Sequence, residues 1–293
     1  MTTALHITSF FHDASGTWTH VVQRDGDAVV IDPVLDYDPK SGRIGIESLR
    51  MLQKHLADNG LRLRRILETH AHADHLSSAQ ALRAGTDATV GIGEGIRSVQ
   101  AHFAEVFGIA DDDDDGALRD AFDQTYVDGE RIDAGRLQFT VLATPGHTSD
   151  SLSYAIDGHV FIGDTLFAPD VGTARCDFPG GSVDALYASI QRLHAMDDAT
   201  VLHLCHDYPA GRERRSNMTV GESRRDNRML RGDTTLADFA QARRDRDAQL
   251  PAPMLLYPAL QTNIRGGRLP PADANGMRYL KTPVHGEIPP ALT

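Results

Sequence analysis

The chain has 293 residues, 41% of them apolar and 24% charged, with 29 Lys plus Arg against 41 Asp plus Glu and a net charge of −12. The length allows one large domain or two modest ones, and the charge argues against a general affinity for nucleic acid or an anionic membrane. Two cysteines, Cys176 and Cys205, are too few for a disulfide framework. The first six residues show no basic-then-apolar leader and no apolar run reaches the roughly 18–20 residues of a membrane span, so a soluble cytoplasmic protein is expected.

In chain order, residues 19–22 and 28–32 flank Arg24-Asp25-Gly26-Asp27 and read as a hairpin about a D-G turn, ended by Asp32-Pro33. Residues 46–59 have helical spacing, with Leu49, Leu52 and Leu56 on one side and Gly60 as the stop. Residues 64–67 form a short strand, and residues 76–84 have a helical pattern. The five aspartates at 111–115 read as a solvated tip. A calcium loop would need spaced ligands and a distal Glu. Strands are expected at 137–142, 151–156, 159–162 and 201–204, and a helix at 183–194 with Leu186, Ile190 and Leu193 inward. Residues 1–235 are expected to make the catalytic domain. Residues 236–293 are expected to add a surface helix (236–248) and a proline-rich extended tail packed on it.

The chemistry concentrates in Thr69-His70-Ala71-His72-Ala73-Asp74-His75, the pattern H-x-H-x-D-H, directly after an apolar run. Imidazole and carboxylate bind divalent metals of intermediate hardness, and four such groups so close together rarely serve packing. His147, Asp164 and His206 share one feature with that cluster: each stands just past the end of an apolar strand, where loops can converge on one point. Gly146 allows a tight turn before His147, and Gly163 allows the backbone to pass close to a metal at Asp164. His6, His12, His20, His55, His102, His159, His194, His203 and His285 lack that context and read as ordinary surface or core histidines.

Seven ligands can hold two metals: His70, His72 and His147 on one ion, Asp74, His75 and His206 on the other, and Asp164 between them. Such a site favours hydrolysis. Two histidines and one carboxylate can instead make the one-metal facial triad of non-haem iron(II) oxygenases. Spacing leaves both open.

The set resembles the metallo-β-lactamase superfamily. That implies an α/β fold, an αββα sandwich of two mixed sheets flanked by helices, with the metal at a sheet edge. Locally the chain is similar to the persulfide (sulfur) dioxygenases, in the bacterial branch with an extended C-terminal tail. The similarity rests on Glu68-Thr69-His70-Ala71-His72-Ala73-Asp74-His75-Leu76, Gly172-Thr173-Ala174-Arg175-Cys176-Asp177-Phe178, Cys205-His206-Asp207-Tyr208 and Asn263-Ile264-Arg265. It implies one Fe(2+) per chain on His70, His147 and Asp164, with His72, Asp74, His75 and His206 around it. The implied reaction takes glutathione persulfide and O2 to sulfite and glutathione, in a possible homodimer. The alternative is a two-Zn(2+) hydrolase of glyoxalase II type, cleaving a glutathione thioester. Arg175 suits a glutathione carboxylate, or a salt bridge to Asp177. Tyr208 can bond substrate or a ligand, and Asn263 and Arg265 can latch the tail or touch glutathione. Cys176 reads as a small packed residue and Cys205 as a buried, inert one.

Overall fold

The computed structural model of the protein describes residues 4–109, 118–284, 286 and 287. The acidic run at 111–115 and His285 lie outside the described residues. The chain opens with antiparallel strands β1 (His6–His12), β2 (Thr17–Arg24) and β3 (Asp27–Ile31). Three short pieces, β4 (Val34–Leu35), β5 (Tyr37–Asp38) and β6 (Arg43–Ile44), lead to α1 (Glu47–Asp58). Next come β7 (Arg62–Leu67), β8 (Leu76–Ser77), α2 (Ala79–Arg83), β9 (Thr89–Gly93), α3 (Ile96–Phe107) and β10 (Gln124–Tyr126). The second half runs β11 (Arg131–Ala134), β12 (Leu137–Ala143), β13 (Leu152–Ile156), β14 (His159–Phe161), α4 (Val183–His194), β15 (Val201–His203) and β16 (Asn217–Thr219). Three helices close the described chain: α5 (Val220–Asp226), α6 (Leu236–Asp247) and α7 (Leu256–Asn263).

Two mixed six-stranded sheets result, ordered β1-β2-β3-β7-β9-β10 and β11-β12-β13-β14-β15-β16. Their residues alternate between two destinations, as strands covered on both faces must. Val22, Val29, Ile31 and Leu67 face the other sheet and meet Phe139, Val141, Tyr154 and Phe161. Val21, Val30 and Ile66 turn outward onto Leu52 of α1, Leu82 of α2, Phe103 of α3 and Leu260 of α7. Val160, Ile162 and Leu202 pack outward on Leu186 and Ile190 of α4 and Phe239 of α6. Each such aliphatic side chain, fully buried, contributes about 1.5–3 kcal/mol. The αββα sandwich follows from this two-sided burial.

Three elements differ from the sequence expectations. Leu76 and Ser77 do not start a helix; they pair with β4, so the helix begins at Ala79. The tail is not extended throughout. Leu256 and Leu260, one helical turn apart, pack against the first helical layer and make α7. Pro258 fits its first turn, where amides have no intrahelical acceptor anyway. Finally, α6 is more than a surface helix. Its Phe239 and Arg243 are buried, and Arg243 pairs with Asp247 at 2.7 Å while donating to the Thr173 carbonyl at 2.9 Å.

Candidate metal centre

Four loops leave the sheets at one edge, each starting where an apolar strand ends. The first follows β7. Asp32, one residue past β3 at φ +51°, sets its path. The Thr69 amide donates to Asp32 Oδ1 at 2.7 Å, the Thr69 hydroxyl to Oδ2 at 2.9 Å, and His72 Nε2 to Oδ1 at 3.0 Å. Asp150 accepts the Ala71 amide at 2.8 Å. From α7, the Asn263 side-chain amide donates to the His72 and His75 carbonyls, and its oxygen accepts the Ser77 amide, all at 2.8 Å. The motif loop is therefore pinned from the first sheet, the second sheet and the tail.

The second loop follows β12 and delivers His147. A Cβ on Gly146 (φ +138°) would lie 2.3 Å from the Leu186 backbone, so only glycine lets α4 press against this turn. The third follows β14 and delivers Asp164. A Cβ on Gly163 would come within 2.8 Å of the Thr69 side chain, so the close approach there is to the motif loop, where the sequence suggested a metal. The fourth follows β15 and delivers His206, which bridges to Thr17 at the tip of the β1–β2 hairpin.

The donor atoms converge in two groups. One atom each from His70, His147 and Asp164 lie within 4.8 Å of one another, with His147 Nε2 3.7 Å from Asp164 Oδ2. His206 Nε2 stands 3.3 Å from both Asp74 Oδ2 and Asp164 Oδ1, and donor atoms of His72, Asp74 and His75 also lie within 4.8 Å of one another. Asp164 thus turns one oxygen to each side.

The imidazoles are oriented as ligands are. A carbonyl only accepts, so His147 carries its proton on Nδ1, which donates to the Arg175 carbonyl at 2.8 Å. His75 Nδ1 likewise donates to the Leu76 carbonyl at 3.2 Å. The Thr69 hydroxyl gives its proton to Asp32, so at 3.0 Å it accepts from His70 Nδ1. Each of these rings turns its Nε2 away from the protein donor or acceptor that holds Nδ1. The Nε2 atoms of His70, His75 and His206, His72 Nδ1, Asp74 Oδ2 and Asp164 Oδ1 are buried and lack a hydrogen-bond partner. Leaving such atoms unpaired costs roughly 1–3 kcal/mol each, and a divalent cation with an affinity for nitrogen and oxygen removes that cost for those that carry no proton. The donor set fits a metal.

Charge separates the front of the loop from its back. Burial, reinforced by neighbouring imidazoles, holds His70 well below the usual histidine pKa and His75 down to about 3, so both present neutral nitrogens. Burial opposes charge on His72 too, but Asp32 and Glu68 outweigh it and lift its pKa to about 10. Burial also opposes ionisation of Asp32, yet His72 and the Thr69 donors overcome it and hold the carboxyl low. Burial and the Asp32 charge push Glu68 up to about 8.

Of the residues expected at the substrate, Arg175, Asn263 and Arg265 make the structural contacts that the sequence also allowed. Arg175 makes two 2.6 Å bonds to Asp177 and a 2.7 Å bond to the Pro251 carbonyl, so its guanidinium is occupied. Asn263 latches the tail to the motif loop, as described. Arg265 is buried and donates to the Gln261 carbonyl at 2.6 Å, turned into the fold. Tyr208 alone stays at the rim: half-exposed, its ring lies parallel to His206 at 5.8 Å. Burial pushes the Cys176 thiol up to about 12 and raises Cys205 as well, so neither offers a thiolate. Sequence reasoning missed Asp32, Asp150 and Glu68. For Asp32 the signal was there, a polar residue closing an apolar strand.

A family model described as the metallo-beta-lactamase superfamily matches residues 12–206. The chain belongs to the metallo-beta-lactamase superfamily. It is 43% identical over 282 residues to a beta-lactamase hydrolase-like protein of Agrobacterium fabrum, covering 95% of this chain but 64% of that protein's own length. It is 28% identical to the human mitochondrial persulfide dioxygenase ETHE1 over 68% of this chain and 66% of that one. The crystal structure of ETHE1 from Myxococcus xanthus superposes with a TM-score of 0.72 at 28% identity, covering 90% of this chain and all of that one. These likenesses support the persulfide dioxygenase family within the superfamily.

Proposed function

We propose that the protein is an iron-dependent persulfide dioxygenase, oxidising glutathione persulfide with O2 to sulfite and glutathione. The observation that carries the reading is the convergence of His70, His147 and Asp164, two imidazoles and one carboxylate from three separate loops. That is the donor set of non-haem iron(II) oxygenases, and one ferrous ion held there supplies the one-electron chemistry with O2 that oxidation of a persulfide sulfur needs. The chain's own part is to fix the donors. The Arg175 carbonyl and the Asp32–Thr69 pair hold His147 and His70 in the tautomer that ligates. The similarity to ETHE1 in sequence and fold supports the same reading.

A second reading, a two-zinc hydrolase of a glutathione thioester, is favoured by one observation. The two Asp164 oxygens face His147 on one side and His206 on the other, as a bridging carboxylate would. The name of the Agrobacterium relative points the same way. Purification with the native metal, followed by metal analysis and O2 uptake with glutathione persulfide, separates the two. About one iron per chain with persulfide-dependent O2 uptake is the expected result. Two zinc ions with thioester hydrolysis and no O2 uptake would overturn it.

A further inference from the structure

Helix α6 reaches the proposed site through a single peptide group. The peptide joining Arg175 to Cys176 is held at both ends. Its carbonyl accepts from His147 Nδ1 at 2.8 Å, and its amide donates to Asp247 Oδ2 at 3.0 Å. A trans peptide points its N–H and C=O in opposite directions, so His147 and Asp247 lie on opposite sides of one flat group. The other oxygen of Asp247 pairs with Arg243 at 2.7 Å, and Arg243 donates to the Thr173 carbonyl at 2.9 Å. Both side chains are buried. The Arg175 guanidinium bonds the Pro251 carbonyl at 2.7 Å, just past the end of α6, so loop and helix are joined on either side of that peptide.

The fold needs less than this. Any neutral acceptor would satisfy one buried amide, whereas a carboxylate there requires a buried arginine to balance it, and such pairs are weak sources of stability. The charge does more for the peptide. A carboxylate accepting from the N–H polarises the whole group, and the carbonyl becomes a stronger acceptor for the imidazole beyond it. A similar arrangement stands behind the other imidazole of the proposed triad. Asp32 Oδ2 accepts from the Thr69 hydroxyl at 2.9 Å, and that hydroxyl meets His70 Nδ1 at 3.0 Å. Each ring thus has a buried carboxylate one polar group behind its Nδ1.

We propose that Asp247 is a positioning residue for the metal centre, acting on His147 through the Arg175–Cys176 peptide and held in place by Arg243. It fixes the direction of the carbonyl that holds His147. Through that carbonyl it sets the ring's orientation and the basicity of Nε2, which stands 3.7 Å from Asp164 Oδ2. The role rests on the reading of His147 as a metal ligand, and it is the same for one iron or for two zinc ions. It gives α6 a place behind the site, beside the latch that Asn263 of α7 makes on the motif loop.

The test is Co(2+) binding to the full chain freed of metal, followed by absorbance, together with the His147 ring-proton resonance by NMR, assigned by its loss in His147→Ala. Asp247→Ala removes the acceptor and its charge. It should weaken Co(2+) binding about tenfold and move the ring proton upfield. Asp247→Asn keeps an oxygen for the Cys176 amide without the charge, so both readings should fall between wild type and Asp247→Ala. Phe239→Leu loosens the same helix in its core contact without touching the peptide, and should leave both readings at wild-type values. If Asp247→Ala does not fold, Asp247→Asn against Phe239→Leu decides alone. Wild-type affinity and an unmoved resonance in Asp247→Asn would overturn the role and leave the proposed function intact. An equal loss in Phe239→Leu would reduce the effect to helix packing and overturn it likewise. A wild type that takes up no Co(2+) would overturn the metal centre itself.

Discussion

Among the described residues imidazoles gather in two places, and one of the two is built to hold a metal. At the loop edge, five rings from His70, His72, His75, His147 and His206 are interleaved with Asp74 and Asp164, and unpartnered nitrogens and oxygens face one another. Between β2, β14 and β15, His20, His159 and His203 also lie within contact, ring centroids 5.2–5.4 Å apart. There most of the bonded nitrogens serve the fold, and His203 Nδ1 is buried without a partner. His20 Nε2 donates to the Leu204 carbonyl at 2.9 Å, His159 Nδ1 meets His203 Nε2 at 3.0 Å, and the His203 ring stacks on Phe161 at 4.5 Å. No carboxylate bonds to any of these three among the described residues. Histidine density alone therefore does not make a centre. Interleaved carboxylates and ring nitrogens turned away from the protein do.

The largest expected effect breaks the edge itself. His147→Ala should abolish metal binding, whereas, on the proposed one-metal reading, His206→Ala should leave most of the metal bound, read by metal analysis after gel filtration. Equal loss from both would favour the two-metal arrangement. Next comes the support behind the edge. Asp32→Ala strips partners from His72, from the Thr69 amide and from the Thr69 hydroxyl at once. Breaking such a buried network should cost about 3–5 kcal/mol in urea unfolding, because the Thr69 amide and hydroxyl and His72 lose one shared buried acceptor. A loss under about 1 kcal/mol would mean that the carboxylate is not holding the loop.

Much of the edge was legible because its residues follow a local rule, a polar ligand directly after an apolar strand. His147, Asp164 and His206 each satisfy it within a few residues. Asp32 satisfies it too, but the partners that explain it lie 37 and 40 positions away, beyond any local pattern. The tail shows the same limit. Its prolines suggested an extended path, while Leu256 and Leu260 took their helical form from a surface built by residues 96–107. The hidden role of α6 has a similar cause. Arg243 is charged, so sequence alone places it outside, yet Asp247 and the Thr173 carbonyl satisfy it inside.

The inter-sheet histidines sharpen the comparison through pH. Burial lowers the His20 pKa to about 4, against 6.5 for the free side chain. Between those values the unfolded chain binds a proton that the folded one refuses. Stability is therefore lost as pH falls from about 6.5 to about 4, by about 3 kcal/mol from this residue. His20→Gln keeps a donor for the Leu204 carbonyl and removes the titration, so its urea midpoint should fall less steeply over that window. An identical slope would assign the acid sensitivity elsewhere.

The smallest expected effect concerns Arg175, which stands at the boundary between ligand support and substrate contact. Its carbonyl orients His147 whatever the side chain is, and its guanidinium is already held by Asp177 and the Pro251 carbonyl. Arg175→Ala should therefore leave the metal bound and change KM for glutathione persulfide less than about threefold, while removing a partly exposed ion pair worth ~1 kcal/mol or less. A tenfold rise in KM at constant metal content would show the opposite: the guanidinium leaves Asp177 to take a substrate carboxylate, and the bond observed here is a resting state of the binding site.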